Sequence, residues 1–371
     1  MSSEATVSRQ PAERSAKAAP APRRRVTRAE VARLAGVSTA VVSYVLNNGP
    51  RPVAEQTAMR VREAMKLLDY RPNSSARALR RGTTETLGLI VSDSLNPFYI
   101  EYTAELVRAA AASGQLLLIA DSRGDPGAEA EAVDDLIARQ IDGLLMASDT
   151  ARSVPSFWRY GESVPLVLID SPGAIPGRRS VGSAAEEGAR QLVAHLVRAH
   201  GYSRIGIIVG NTGYGNPDPR VLGWQRALRE ARLPLGPAVS VPFSREAGYH
   251  AGLELLAMNP RPDAIFASSD QQAIGLLRAI HEQGLRIPDD VAVVSFDGTV
   301  ESEYCWPPLT VARQPIARMA AAVIDLVHSS TEAEGRHVQL DTELVIRSSC
   351  GCPDQPPGPD AVDPATTPST P

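Results

Sequence analysis

Carboxylates, imidazoles and thiols are the groups from which a catalytic or metal site would be built, and their spacing here suits neither. The carboxylate pairs Asp134-Asp135, Glu186-Glu187 and Asp289-Asp290 are adjacent in sequence. Neighbours on a helix point apart, so these pairs read as solvated charges rather than an acid and its base. The six histidines, His195, His200, His250, His281, His328 and His337, are scattered on or beside helical patterns and read as surface or internally satisfied groups. Three cysteines, Cys305, Cys350 and Cys352, are an odd and sparse set that makes no disulfide framework. Cys350-Gly-Cys352 has neither a second cysteine pair nor a histidine cluster beside it, so no metal is expected there, nor any cofactor. No G-x-G-x-x-G follows a strand, and G-x-x-x-x-G-K-[ST], H-E-x-x-H and G-x-S-x-G are absent. An enzyme is disfavoured.

The patterned polar residues lie elsewhere, in "TRAEVARLAGVSTAVVSYVLNN", Thr27 to Asn48. Thr27 with Glu30 three residues later is a capping box. Val31, Leu34 and Ala35 then recur at helical spacing. Gly36 suits the left-handed turn that ends a helix. Ser38 caps a second helix whose apolar face is Val41, Val42, Val45 and Leu46. The small residues Ala32 and Ala35 allow close crossing, and the four-residue connection is that of a helix-turn-helix. A third helix is expected over Glu55–Asp69, with Val61, Ala64, Met65 and Leu68 inward. Ala54 stands where a capping Ser or Asp would serve better, a loss of about 1 kcal/mol.

The rest of the chain has to carry and position this module. Of 371 residues, 43% are apolar, enough for a sizeable core. Charge is unevenly placed: residues 1–81 hold 16 Lys+Arg against 6 Asp+Glu, while the remainder is acidic. A basic amino end on an acidic body points to nucleic-acid contact confined to that end. Residues 1–25 and 353–371 are rich in proline and poor in apolar residues, and are expected to be disordered tails. Residues 26–71 read as the helix-turn-helix domain and 72–86 as a hinge and linker. In residues 87–352 aliphatic runs (Leu87–Val91, Leu116–Ala120, Gly143–Ala147, Leu166–Ile169, Ile205–Val209, Ala264–Ala267, Val291–Ser295) alternate with amphipathic stretches (Tyr102–Ser113, Ala128–Gln140, Glu187–Ala199, Gly248–Ala257, Gln271–Gln283). That alternation means parallel sheets covered on both faces, arranged as two doubly wound halves with a ligand cleft between them. There is no apolar run of membrane-spanning length and no apolar signal core, so a cytoplasmic protein is expected.

"EVARLAGVSTAVVSYVLN" closely resembles the DNA-binding motif of the lac repressor (LacI/GalR) family, and "RPNSSARALR" (71–80) resembles that family's hinge helix. The resemblance continues through "DSLNPFY", "QIDGLLMA", "VPLVLID", "RPDAIFASSDQQAIGLLRAI", "IPDDVAVVSFDG" and "PPLTVARQP", in order, and spans about 320 residues. It implies an amino-terminal three-helix module and hinge helix joined to a periplasmic-binding-protein-like α/β domain of two subdomains. It also implies that Thr39, Ala40 and Tyr44 face base edges in the major groove. Thr39 can donate, accept or touch a thymine methyl, Ala40 offers apolar contact, and Tyr44 brings one hydroxyl and a ring. None makes the bidentate fork that Arg gives guanine or Gln gives adenine. Thr27, Ser38, Ser43 and Asn47 are candidates for phosphate contacts or caps. Arg23–Arg25 add affinity and salt dependence more than sequence choice.

In the hinge, Pro72 biases Arg71 away from helix, and Asn73 can cap the short helical stretch after it. Asn73–Arg80 is about two turns, too short to be stable alone, so it is expected to order only on DNA. The resemblance places Leu79 as the leucine wedged between base pairs, Ala76 beside it and Arg80 toward the minor groove, which makes the central step part of the specificity. In the effector domain it places Phe98, Tyr99, Arg220, Phe243, Ser269, Asp270 and Asp297 at ligand. One arginine, two carboxylates and flanking aromatics suit a polyhydroxylated ligand. The sequence departs from the family at Ala184 and Ala185, at Ser269 and at Gly298, where Asp-Asn, Asn and Asp are usual. The expected protein is therefore a homodimeric repressor on double-stranded, pseudo-palindromic operator DNA, switched by a small effector, a sugar or sugar derivative. The alternatives are a regulator answering to a nucleobase or other non-sugar ligand, and a solute-binding protein.

Overall fold

The computed structural model describes residues 26–47, 52–71, 78, 82–147, 164–210, 218–329 and 335–353. The expected tails, Arg23–Arg25 and the hinge residues Asn73, Ala76, Leu79 and Arg80 lie outside the described residues. The chain forms two compact units, 1–80 and 81–371.

In the first unit, α1 (Arg28–Ala35), α2 (Thr39–Asn47) and α3 (Glu55–Leu67) occur in the expected order. The Thr27 hydroxyl accepts from the Glu30 amide while the Glu30 carboxylate accepts from the Thr27 amide at 2.7 Å, so the capping box is complete. Gly36 at φ 64° ends α1 in the left-handed turn. The axes of α1 and α2 turn by 102°, within the range of a helix-turn-helix. Val31, Ala32, Ala35, Val42, Val61 and Ala64 form the core, with Val45, Leu46, Met65 and Leu68 packed against it. Leu34 departs from the expectation: it is 52% exposed, because the inward stripe of so short a helix is filled by Val31, Ala32 and Ala35. As expected, α3 lacks a side-chain cap at Ala54.

The second unit holds two six-stranded sheets. The first runs β11-β5-β4-β3-β1-β2, built from β1 (Thr86–Val91), β2 (Leu116–Asp121), β3 (Gly143–Met146), β4 (Leu166–Leu168), β5 (Arg179–Ser183) and β11 (His337–Leu340). The second runs β12-β10-β9-β8-β6-β7, from β6 (Ile205–Gly210), β7 (Ala238–Val241), β8 (Ala264–Ala267), β9 (Ala292–Asp297), β10 (Thr310–Arg313) and β12 (Glu343–Val345). All pairings are parallel except β10 with β12. Helices α4 (Pro97–Ala112), α5 (Pro126–Ala138), α6 (Ala185–His200), α7 (Pro219–Glu230), α8 (Arg245–Leu256), α9 (Asp270–Glu282), α10 (Val300–Tyr304) and α11 (Ile316–His328) connect the strands.

The chain crosses between the sheets three times: from β5 into α6, from β10 into α11 and from β11 into β12. Each sheet is thus completed by segments from far along the chain. α11 packs Met319, Val323 and Val327 into the core that holds Tyr102 and Leu106 of α4. These returning elements were not legible as a βα series, since β5, β11 and β12 are short and polar or lie at an edge. One aliphatic run behaves differently from the rest. β2 is an edge strand whose Leu116 and Ile119 are exposed, so this part of the sheet is not covered on both faces. Among the described residues, no single helix is long and apolar enough to cross a membrane.

Candidate functional site

In the first unit the amino end of α2 is open to solvent. Thr39 and Ala40 are exposed, Ser43 and Tyr44 are half-buried, and α2 carries no charged residue. Ser38 accepts from the Val41 amide at 3.4 Å, and Thr27 is engaged with Glu30. Both hydroxyls therefore serve as helix caps. Asn47 closes α2.

In the second unit the residues expected at ligand lie toward the carboxyl ends of the strands, where ligands of open parallel sheets bind. Arg220, in the first turn of α7, is held on four sides. Its Nε and Nη2 donate to the two oxygens of Asp218 at 2.9 and 2.7 Å, and Nη1 donates to the Ser268 carbonyl at 2.9 Å. The guanidinium lies 4.9 Å from the Phe243 ring centre and 5.4 Å from that of Phe296. Asp218 is also the N-cap of α7, accepting from the Arg220 amide, with Pro219 next to it. The nearby negative charge of Asp218, Asp297 and Asp170 keeps Arg220 firmly charged despite burial. Burial raises the Asp218 carboxyl, but its arginine outweighs this and holds it below the ordinary value.

Asp297 ends β9 at φ 100°, and its carboxylate accepts from Gln314 Nε2 at 2.9 Å. Burial raises its pKa, opposed by Arg220. Asp270 is raised as well, first by burial and then by the charge of Asp297. Asp270 accepts from the Ser295 hydroxyl (2.5 Å) and from the amide and hydroxyl of Thr299 (both 2.7 Å). Those donors turn it inward, to brace the loop after β9. Ser269 caps α9 through the Gln272 amide and is buried. On the first subdomain, the Tyr99 hydroxyl donates to Asp170 at 3.1 Å.

The residues expected at ligand thus separate into two groups. Arg220, Phe243 and Asp297 stand near one another, at the start of α7, after β7 and at the end of β9, and Tyr99, in the first turn of α4, pairs with Asp170. Phe98, Ser269 and Asp270 are built into the fold: Phe98 is 3% exposed and packs on Tyr102 in the main core. Sequence reasoning missed Asp218, Asp170 and Gln314. The Asp218-Pro219 pair is an N-cap with proline at the first helical position, and that signal could have found it. The departure at Gly298 has a local cause. Its φ is 69°, and a Cβ there would lie 2.7 Å from the Arg313 backbone. Ala184 leaves α6 without a side-chain cap.

A further correction concerns metal ligands. No histidine neighbours Cys350 and Cys352 in sequence, but the fold brings His195 and His200 against them from about 150 residues away. One ligand atom from each of the four lies within 4.8 Å of the others.

Residues 27–73 match the family model described as bacterial regulatory proteins, lacI family, and residues 193–350 match that of a periplasmic binding protein-like domain. The chain is similar to the HTH-type transcriptional repressor PurR of Photobacterium profundum, 31% identical over 86% of this chain and 97% of that protein. Among solved structures it is similar to the lac repressor dimer bound to operator and the anti-inducer ONPF, at 26% identity, TM-score 0.77, covering 88% of this chain and 99% of the other. It is also similar to a LacI family regulator from Lactobacillus casei with bound glucose, at 26% identity, TM-score 0.62, covering 71% and 99%.

Proposed function

Since this chain belongs to the lacI family of bacterial regulatory proteins, we propose that it is a homodimeric repressor of a pseudo-palindromic operator whose DNA affinity is switched by a polyhydroxylated ligand, a sugar or sugar derivative, bound between the two α/β subdomains. The observation that carries this reading is the pairing, in one chain, of an exposed α2 amino end with a polar and aromatic cluster around Arg220 at the carboxyl ends of the second sheet. Arg220 stacked on Phe243 with Asp297 nearby offers a donor, an apolar ring face and an acceptor. Sugar hydroxyls and the apolar face of a pyranose meet such groups well. The similarity to a glucose-bound regulator supports this class. The similarity to PurR favours a second reading, a nucleobase stacked on the same ring.

Two copies fit the operator symmetry. On the first subdomain the β2 edge and α4 expose Leu116, Ile119 and Ile100, and on the second Trp306 is 91% exposed. We assign these exposed apolar groups to the dimer face, and the similarity to a repressor dimer supports a second copy as its occupant.

The test is a gel shift on the intergenic DNA beside the protein's own gene at low salt, repeated with glucose, ribose, cellobiose and hypoxanthine. A specific complex dissolved or tightened by a sugar is expected; response to hypoxanthine alone selects the second reading, and no complex on any such DNA removes the repressor reading. Leu79→Ala, at the expected wedge, should weaken specific binding while leaving ligand affinity unchanged. Base changes at the central step should cost more than changes opposite Thr39, Ala40 and Tyr44, because those three side chains offer only single or apolar contacts.

A further inference from the structure

We propose that His195, His200, Cys350 and Cys352 form a structural zinc site that clamps the end of the folded chain onto α6. The four residues come from two places. His195 and His200 belong to the last turns of α6, which stops at Gly201 in the left-handed conformation. Cys350 ends a 3₁₀ turn (Ser348–Cys350), and Cys352 lies two residues beyond it. Between the cysteines, Gly351 adopts φ 106°, and a Cβ there would lie 3.2 Å from His200 Nδ1 and 3.4 Å from the Tyr202 hydroxyl. Glycine lets the chain turn tightly against the imidazole, so that both sulfurs face the two rings.

Three of the six edges between the ligand atoms have the length of a coordination tetrahedron's, and the other three are no longer than 4.8 Å. His195 Nε2 lies 3.4 Å from Cys350 Sγ and 3.5 Å from Cys352 Sγ, and His200 Nε2 lies 3.3 Å from Cys352 Sγ. Zinc bonds of about 2.3 Å to sulfur and about 2.0–2.1 Å to nitrogen, at tetrahedral angles, place sulfur and nitrogen roughly 3.5 Å apart. The three nitrogen–sulfur contacts are therefore already at the spacing an ion requires. Two imidazoles and two thiolates are the ligand set of closed, structural zinc sites, and four protein ligands leave no open position for catalysis. Binding expels the two thiol protons to solvent and forms two zinc–sulfur and two zinc–nitrogen bonds.

The surroundings support the ligands. The Thr310 hydroxyl lies 3.1 Å from Cys350 Sγ, and the Tyr202 hydroxyl donates to the Cys350 carbonyl at 3.2 Å. Such outer contacts orient a metal's ligands. Cys350 is buried in the core of the second subdomain, and the other three are half-buried. The cluster lies beside the first residue of β10 and ahead of β6, at the amino ends of the second sheet. It is therefore at the opposite end of the strands from Arg220 and Asp297, and independent of the effector reading. The ion would cross-link α6, which begins at the first crossover, to the segment after β12.

The test uses the full chain, purified under reducing conditions without added metal, then stripped with chelator and titrated with Co²⁺. We expect one zinc per chain as purified. We expect cobalt to give tetrahedral ligand-field bands and a sulfur-to-cobalt charge-transfer band, both abolished by equimolar Zn²⁺. Cys352→Ser, at the half-exposed ligand, should fold by circular dichroism, lose the charge-transfer intensity of one sulfur and lose the rise in thermal midpoint that Zn²⁺ gives the native chain. The proposal is overturned by octahedral cobalt bands with no sulfur band, by a spectrum unchanged in Cys352→Ser, or by a native chain that takes up neither cobalt nor zinc after reduction. Failure of Cys352→Ser to fold would leave the native cobalt spectrum and its displacement by zinc as the deciding measurement.

Discussion

Replacing Asp218 by asparagine isolates the charge that holds Arg220. Asparagine is as good an N-cap as aspartate, so the start of α7 is kept. What is lost is the negative partner of a guanidinium whose side chain is 17% exposed, while the aspartate is only 3% exposed. Removing one partner of a buried pair costs roughly 3–5 kcal/mol, because the other charge is left uncompensated. The Ser268 carbonyl, the two aromatic faces and the nearby charges of Asp297 and Asp170 still serve Arg220, which places the expected loss near the lower end, about 3 kcal/mol. For a unit of this size, with an unfolding entropy of about 2.1 cal/mol/K per residue, that corresponds to a fall of about 5 °C in the thermal midpoint of the second unit. Differential scanning calorimetry of the full chain reads it. Adding Arg220→Met to Asp218→Asn removes the stranded charge as well, and should return most of the lost stability, since an apolar replacement of a whole buried pair is often neutral. A single variant within about 1 °C of the native midpoint would show that the pair is effectively solvated, and a double variant no better than the single would show that the loss is not one of an uncompensated charge; either refutes the argument.

Other perturbations separate the two units and the remaining groups of the cleft. Thr27→Ala removes the hydroxyl half of the capping box, leaving the bond from the residue 27 amide to Glu30, and should cost the first unit about 1 kcal/mol in chemical denaturation, without altering ligand affinity of the second. Ile119→Lys places a charge on the exposed β2 edge and should convert the expected dimer to monomer in analytical ultracentrifugation; an unchanged sedimentation coefficient would move the interface elsewhere. pH supplies a third handle. Burial raises Asp270 to about 7 and Asp297 to about 6. In the unfolded chain these groups release their protons near pH 3.9, so the stabilisation they carry is complete below about that value and is lost as pH rises through 6 to 7. The thermal midpoint of the effector unit should therefore fall between about pH 4.5 and about 7, and fall less in Asp297→Asn, whose amide tolerates the positive φ. An identical slope in the two proteins would count against the coupled carboxyls.

What was legible in the sequence is what local chemistry decides. The capping box of Thr27 and Glu30, the left-handed turn at Gly36 and the aliphatic strands from Leu87 to Ser295 rest on contacts within a few residues or on a simple period. Their signals are written in local sequence, although the strands themselves form only by pairing with distant segments, and with the quoted motifs they sufficed for the family, the three-helix module and the two α/β halves.

The site was only partly legible, because a residue's type does not say which neighbour will claim it. Phe98 and Asp270 had the right chemistry for a ligand, but the core claimed one and Ser295 and Thr299 the other. Arg220 was named from the sequence, but not Asp218, whose carboxylate engages it most directly. The apolar composition of β2 suggested burial, and its place at the sheet edge left it exposed. The meeting of His195 and His200 with Cys350 and Cys352 lay furthest from view. No local pattern encodes it: the four are joined only when the chain, after three crossings between the sheets, returns to the end of α6, and the closure of that long loop is a property of the packed tertiary structure alone.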